Sequence, residues 1–187
     1  MAEDLTEQHL IEFTLSSETI ASGGMLTVKR DQVRLPNGNT SQREYVLHPG
    51  AVVIVPILPS GNVILERQFR YPLNKVFIEL PAGKIDAVEA ILMTGQRELL
   101  EETGYTASEW VELGHQHPCI GYSNEIIHMY LACGLSAGSH QRDIDEHLEV
   151  FDVPFSQAID MTQNGEITDG KTIIALNFAE KYLAGRG

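Results

Sequence analysis

Long apolar runs are missing from this 187-residue chain. None approaches the roughly 20 residues that span a bilayer, so no membrane-crossing helix is expected. Positive charge is scarce too: Lys and Arg total 13 against 26 Asp and Glu, a formal net charge of −13. That balance opposes sequence-independent binding to nucleic acid, which needs a basic surface. It also means that the repulsion on any anionic substrate must be cancelled, and a bound divalent cation is the simplest means. Only two cysteines occur, Cys119 and Cys133. Their spacing suits neither a metal site nor a disulfide framework, so reduced thiols packed in the fold are expected. The acidic start, MAEDLTEQHLIEF, lacks the basic region and apolar stretch of a signal peptide. A cytoplasmic location is the resulting expectation. Internal repeats, low-complexity tracts and long linkers are absent as well.

What is there describes an ordinary globular chain. Hydrophobic residues make up 43% and charged residues 21%, enough for one compact domain with a sizeable core. Between Gly23 and Leu47 the pattern predicts two strands around the turn signal Leu35-Pro36-Asn37-Gly38-Asn39. The Val- and Ile-rich run Ala51 to Leu58 predicts a strand, and Pro59-Ser60-Gly61-Asn62 turns the chain into another at Val63 to Arg70. Further strands are expected at Val76 to Leu80, Trp110 to His115, Glu125 to Cys133 and Leu148 to Val153. Helix signals run from near Glu89 to Gly104, whose glycine suits a C-terminal cap. Two more helices are expected at Phe155 to Gln163 and Thr172 to Leu183. Mixed strands with few helices predict an α/β (α+β) layered sandwich rather than a regular βαβ alternation.

Residues 83–105 read GKIDAVEAILMTGQRELLEETGY. A helix ending this segment places Glu98 and Glu102 four residues apart on one face, with Glu101 beside them. Arg97 can pair with Glu101 at i,i+4, which leaves Glu98 and Glu102 short of partners within the helix. Leu92, Leu99 and Leu100 supply an apolar side. Clustered carboxylates of this kind are either a solvated surface or a site for a hard cation such as Mg²⁺. The helix alone does not decide between them.

The loop before it does. Gly83, Glu89, Arg97, Glu98, Leu99, Glu101, Glu102, Gly104 and Tyr105 fill every fixed position of a glycine, five residues, Glu, seven residues, then Arg-Glu-apolar-x-Glu-Glu-x-Gly-apolar. This segment resembles the box of the Nudix hydrolases. The resemblance implies a loop–helix–loop packed on a mixed sheet in an α/β/α sandwich, with an N-terminal strand pair. It implies divalent metal held by Glu98, Glu101 and Glu102, with Glu89 and Arg97 as supports. Gly95 stands out, since a mid-helix glycine costs up to about 1 kcal/mol.

The flanks resemble one subgroup, the ADP-ribose and nucleoside diphosphate sugar pyrophosphatases. Arg67-Gln68-Phe69-Arg70 followed by Ile78-Glu79-Leu80-Pro81-Ala82-Gly83 is similar to its QFR…E(F/L)PAG sequence. The resemblance implies that Arg70, nine residues before Glu79, contacts substrate phosphate, that both belong to the substrate-binding set, and that the Ala82 carbonyl ligates metal. Pro118, Gly121, Ser123 and Glu125 resemble the loop after the box. Asp143-Ile144-Asp145-Glu146-His147-Leu148-Glu149-Val150 resembles an acidic loop whose glutamate, here Glu146, is the general base, with Glu125 as the alternative. His115 and His117 can share a strand face, but carboxylate-rich Mg²⁺ sites rarely need imidazole.

The resemblance spans about residues 43–180. Residues 1–47 are expected to be a strand extension that forms a homodimer, and residues 48–187 the hydrolase domain. Arg43 and Tyr45 are candidates for binding the nucleoside, Tyr45 by stacking, although it equally fits a half-buried strand position. The catalytic set is then Glu146, Glu98, Glu102 and Glu125, with Mg²⁺ as the metal and Mn²⁺ as its alternative. The expected reaction splits the pyrophosphate of ADP-ribose or a related nucleoside diphosphate sugar. GDP-mannose or UDP-sugars are the alternative substrates. A non-catalytic ADP-ribose sensor fits less well, because all the box carboxylates are present.

Overall fold

A computed structural model describes residues 7–24, 26–138 and 147–185. The chain falls into two compact units, one reaching to His48 and including Cys119–Glu125, the other comprising Pro49–Pro118 with the chain from Ile126 onward.

The first unit is an antiparallel sheet of β1 (Phe13–Ser22), β2 (Thr27–Arg34) and β3 (Thr40–Leu47), in that order. The turn between β2 and β3 forms where Asn37 and Gly38 predict it. Gly38 adopts a φ of 86°, its N–H donates to the Leu35 carbonyl, and the Asn37 side chain accepts from Asn39 N–H. The expected strand pair is therefore a three-stranded sheet. Two register slips, at Thr14/Ser16 and Thr19/Ala21, hide β1 from sequence periodicity, because each breaks the alternation of faces. The segment Cys119–Glu125 joins this unit by a bridge from Ser123 to Val46.

The second unit contains two sheets. The mixed sheet has the order β7 (Ala82–Lys84), β4 (Ala51–Pro56), β9 (Ile127–Ala137) and β8 (Tyr105–Gln116), with β4 and β9 parallel and the other pairs antiparallel. The second sheet is antiparallel, in the order β10 (Leu148–Pro154), β5 (Asn62–Arg70) and β6 (Lys75–Glu79). All six residues of β4 are buried, as an uninterrupted apolar run requires of a strand covered on both faces. Val53 and Val55 face one core with Met129, Leu131 and the helices α2 (Phe155–Asn164) and α3 (Gly170–Ala184). Val52 and Ile54 face the other with Ile64, Leu99 and Ala132, covered by α1 (Ile91–Glu98). Helices lie on both sides of the sheets, which is the expected α/β/α sandwich. Among the described residues no helix is long and apolar enough to cross a membrane.

The box helix differs from expectation in form. It starts at Ile91 rather than near Glu89, and after Glu98 it widens into a π-helical turn, Leu99–Thr103, closed by Gly104 at a φ of 76°. Gly95 has a packing reason. A Cβ there would lie 3.2 Å from Val52 Cγ1 and 3.5 Å from the Trp110 ring, so glycine lets the helix approach β4 closely. The short β7 was not expected. β8 begins five residues earlier than its apolar core, held by pairing with β9 from Tyr105↔Ala137 onward.

Candidate active site

The box loop is organised around one guanidinium. Arg97 donates to Glu89 through Nε (3.1 Å) and Nη2 (3.0 Å), to Glu98 (2.8 Å) and to Glu101 (2.9 Å), and its Nη2 reaches the Lys84 carbonyl at 3.3 Å. Thr94 also donates to Glu89, at 2.8 Å. Hydrogen bonds from Arg97 hold the Glu89 carboxyl below its ordinary pKa range, against the opposing pull of burial, and those same bonds push Arg97 up. Glu89 and Arg97 are thus the supports expected of them. The Arg97–Glu101 pair forms as the i,i+4 spacing predicts. Glu98 is not left without a partner, since Arg97 reaches it as well.

Across from the helix lies the strap Leu80-Pro81-Ala82-Gly83. Ala82 N–H donates to Glu102 Oε2 at 2.9 Å, and Glu102 is only 3% exposed. Glu98 rests on Gly83 so closely that a Cβ there would lie 1.8 Å from its Oε1. The glycine five residues before Glu89 is therefore the space that the Glu98 carboxylate fills. Ile54 N–H bonds the Pro81 carbonyl, which makes Ala82↔Val53 a non-hydrogen-bonded position of the ladder. The Ala82 N–H and C=O consequently point away from β4, on the side where Glu102 sits. Among the described residues no three His, Cys, Asp or Glu side chains are grouped as a metal cage. The donor set on offer is two carboxylates and a backbone carbonyl, with Glu101 at the rim, and hard oxygen donors of this kind suit Mg²⁺ or Mn²⁺.

One strand back, Arg70 makes a two-pronged pair with Glu79, both bonds 2.7 Å. Glu79 is 2% exposed and also accepts from Lys171, which pairs with Asp169 at 3.0 Å. Burial pushes Glu79 up, but the bonds from Arg70 and Lys171 outweigh it and leave the carboxyl below its ordinary range. Glu79 therefore orients Arg70 and faces cations of its own chain. Sequence reasoning missed Lys171, Asp169 and Thr172. Asp169 is the N-cap of α3, accepting from Thr172 N–H, and an Asp three residues before the expected helix was the available signal.

Arg43, Tyr45 and Glu125 lie in the first unit. Arg43 is engaged by Glu12 (2.5 Å), Ser41 and the Gln42 carbonyl. Tyr45 donates to Asp31 at 3.4 Å, and partial burial raises its hydroxyl pKa. Glu125 lies 3.6 Å from His48 Nδ1. Glu146 lies outside the described residues. His115 stands beside both His117 and His128, with ring centroids 5.5 and 5.9 Å away. Cys119 and Cys133 are free thiols.

A glutamate-bearing helix set against a glycine strap, on a mixed sheet between helices, offers the oxygen donors of a divalent-cation site. Residues 47–176 match the NUDIX domain, and residues 13–46 match the nucleoside diphosphate sugar hydrolase N-terminal domain. The chain is 38% identical over 173 residues to an ADP-ribose pyrophosphatase of Bacillus subtilis (strain 168), covering 91% of this chain and 94% of the relative. It is also 38% identical over 173 residues to a methanol dehydrogenase activator of Bacillus methanolicus, covering 90% and 92%. A GDP-mannose pyrophosphatase of Shigella flexneri serotype 5b (strain 8401) is 34% identical over 143 residues, covering 70% and 73%. A crystal structure of an ADP compounds hydrolase superposes with a TM-score of 0.86 at 25% identity, over 95% of this chain and 97% of the other. The chain belongs to the Nudix family. It is an enzyme, a Nudix hydrolase, and such hydrolases generally use divalent metal ions.

Proposed function

We propose that this enzyme hydrolyses the pyrophosphate of ADP-ribose, or of a closely related nucleoside diphosphate sugar, with Mg²⁺ or Mn²⁺. The observation that carries this reading is the meeting of Glu98 and Glu102 with the Ala82–Gly83 strap. The similarity to ADP-ribose and GDP-mannose pyrophosphatases supports this substrate class. In this reading the Ala82 carbonyl, Glu98, Glu101 and Glu102 would hold the metal, in exchange for part of the hold that Arg97 has on Glu98 and Glu101. A divalent cation held there would supply charge neutralisation at the pyrophosphate and polarisation of its phosphorus. Arg70, aligned by Glu79, donates charge-assisted hydrogen bonds to phosphate oxygens. Glu146 accepts a proton from the attacking water, with Glu125 as the second candidate. Water attacks one phosphorus, the bridging P–O bond breaks, and ADP-ribose yields AMP and ribose 5-phosphate. Arg43 and Tyr45 contact the nucleoside, and the enzyme works in the cytoplasm.

The same reading makes the N-terminal region, residues 1–47, a dimerisation element. All ten residues of β1 are exposed, Phe13, Leu15 and Ile20 among them, which supports a partner copy over this sheet. A monomeric mass at micromolar concentration with full activity would refute it. The substrate is tested with a hydrolysis panel of ADP-ribose, GDP-mannose, UDP-glucose, NADH, dinucleoside polyphosphates and nucleoside triphosphates. ADP-ribose is expected to give the highest kcat/KM, and preference for GDP-mannose or a UDP-sugar would move the assignment within the family. Glu146→Gln should slow turnover by roughly 10²–10⁴-fold, with substrate affinity little changed. A larger loss in Glu125→Gln would transfer the base to that residue.

A further inference from the structure

The chain passes from one sheet to the other within two residues. Glu79 ends β6 in the antiparallel sheet and Ala82 begins β7 in the mixed sheet, so Leu80 and Pro81 are the two residues that lead the chain into the Ala82 peptide. Pro81 has no N–H to offer, and its carbonyl is held by Ile54 N–H at 2.9 Å. Leu80 falls between the two ladders, and its N–H needs another acceptor. Thr172 supplies it: Leu80 N–H donates to Thr172 Oγ1 at 2.9 Å, 92 residues away in the chain. Both residues are completely buried.

The threonine hydroxyl is itself oriented. Its O–H donates to Asp169 Oδ2 at 2.6 Å, so its hydrogen is committed and a lone pair is left facing Leu80. Asp169 Oδ2 also accepts from Thr172 N–H at 3.1 Å and Lys171 Nζ at 3.0 Å. Lys171 closes the chain of contacts by pairing with Glu79, next to Leu80. The start of α3 therefore grips the strap two residues before Ala82, whose N–H donates to Glu102.

We propose that Thr172, oriented by Asp169, is a positioning residue that sets the Ala82 carbonyl for the metal site through its hydrogen bond to Leu80 N–H. This rests on the reading that the Ala82 carbonyl is a metal ligand. Thr172→Val keeps the side-chain shape and removes the hydroxyl, and Thr172→Ser restores it. The measurement is Mn²⁺ binding to the substrate-free protein, read from the free-Mn²⁺ electron paramagnetic resonance signal, beside unfolding temperatures taken in EDTA. Groups that orient metal ligands contribute about 10–100-fold to metal affinity. Thr172→Val should weaken Mn²⁺ binding by at least about tenfold and raise the Mg²⁺ needed for half-maximal turnover in parallel, while Thr172→Ser stays near wild type. A Thr172→Val protein that melts lower in EDTA yet binds Mn²⁺ like wild type would overturn the proposal, leaving Thr172 a structural residue. If Thr172→Val does not fold, Asp169→Asn decides, since it keeps the shape of the cap and weakens the grip on the hydroxyl. Weaker Mn²⁺ binding in that variant supports the proposal, and unchanged binding defeats it. Glu102→Gln separates the two levels: unchanged Mn²⁺ affinity there removes the metal assignment itself, whereas its loss beside an unaffected Thr172→Val removes only the positioning role.

Discussion

The sandwich and the N-terminal sheet are both made largely of strands, yet they bury opposite amounts. β4 hides six residues in a row, whereas β1 exposes ten in a row. The sandwich is held by two apolar cores, one on each face of β4. The N-terminal sheet has its ladder hydrogen bonds and surface ion pairs, such as Arg30 with Glu18 and Glu44, and exposed pairs of that kind contribute about 0–1 kcal/mol each. Val33 is its one buried hydrophobic residue among those described, accompanied by the buried Asp31. A three-stranded sheet needs an apolar face covered by something to be stable. The difference lies in what each region covers: the sandwich closes over its own apolar cores, and the N-terminal sheet leaves Phe13, Leu15 and Ile20 exposed.

The sharpest break of this comparison is in the sandwich's acidic helix. Glu98→Gln and Glu102→Gln should each lower turnover by roughly 10³-fold or more, since charge stabilisation by metal is worth several kcal/mol. Circular dichroism should show the fold retained. Near-normal turnover at saturating Mg²⁺ would end the assignment. Next comes the frame itself: Ile54→Ala should cost about 2–5 kcal/mol in urea unfolding, because Ile54 is wholly buried against α1 and β5. A cost below about 1 kcal/mol would mean that this core does not hold the sandwich.

A smaller effect concerns pH. Glu79 has a folded-state pKa below its ordinary value, so the unfolded chain binds its proton first as the solution is acidified. Its contribution to stability is complete above the ordinary carboxylate range, about pH 4.3, and is lost as pH falls through the lower folded value. Unfolding midpoints of Glu79→Gln should therefore decline less steeply on acidification than those of wild type. Equal slopes would show that the Arg70–Glu79–Lys171 cluster is not coupled to folding. The smallest effect is expected on β1. Phe13→Ser should change monomer stability by no more than about 0.5 kcal/mol, as for any exposed position, yet shift the self-association equilibrium toward monomer in sedimentation. An unaltered equilibrium would place the partner elsewhere.

Much of the site was legible because its members are close in sequence. Gly83, Glu89, Arg97, Glu98 and Glu102 lie within one loop and helix, and the Arg97–Glu101 contact follows from helical geometry alone. β4 announced itself as an unbroken apolar run. β1 did not, because its two register slips break the period of two by which a strand is recognised. The π turn at Leu99–Thr103 has no periodic signature either, and it alters how Glu102 is carried relative to Glu98.

By itself, then, the sequence determined the mixed sandwich, the acidic helix and the family, since each rests on spacing within a short stretch. Tertiary structure decided the rest. It set which carboxylates are held by cations, with Glu79 given to Arg70 and Lys171 and Glu89 to Arg97. It revealed that Gly83 is the space for Glu98 and Gly95 the contact with β4. It also tied Leu80 to Thr172 across 92 residues of chain. A hydrogen bond between distant segments depends on how the sheets and helices pack, and no local pattern of residues records that packing.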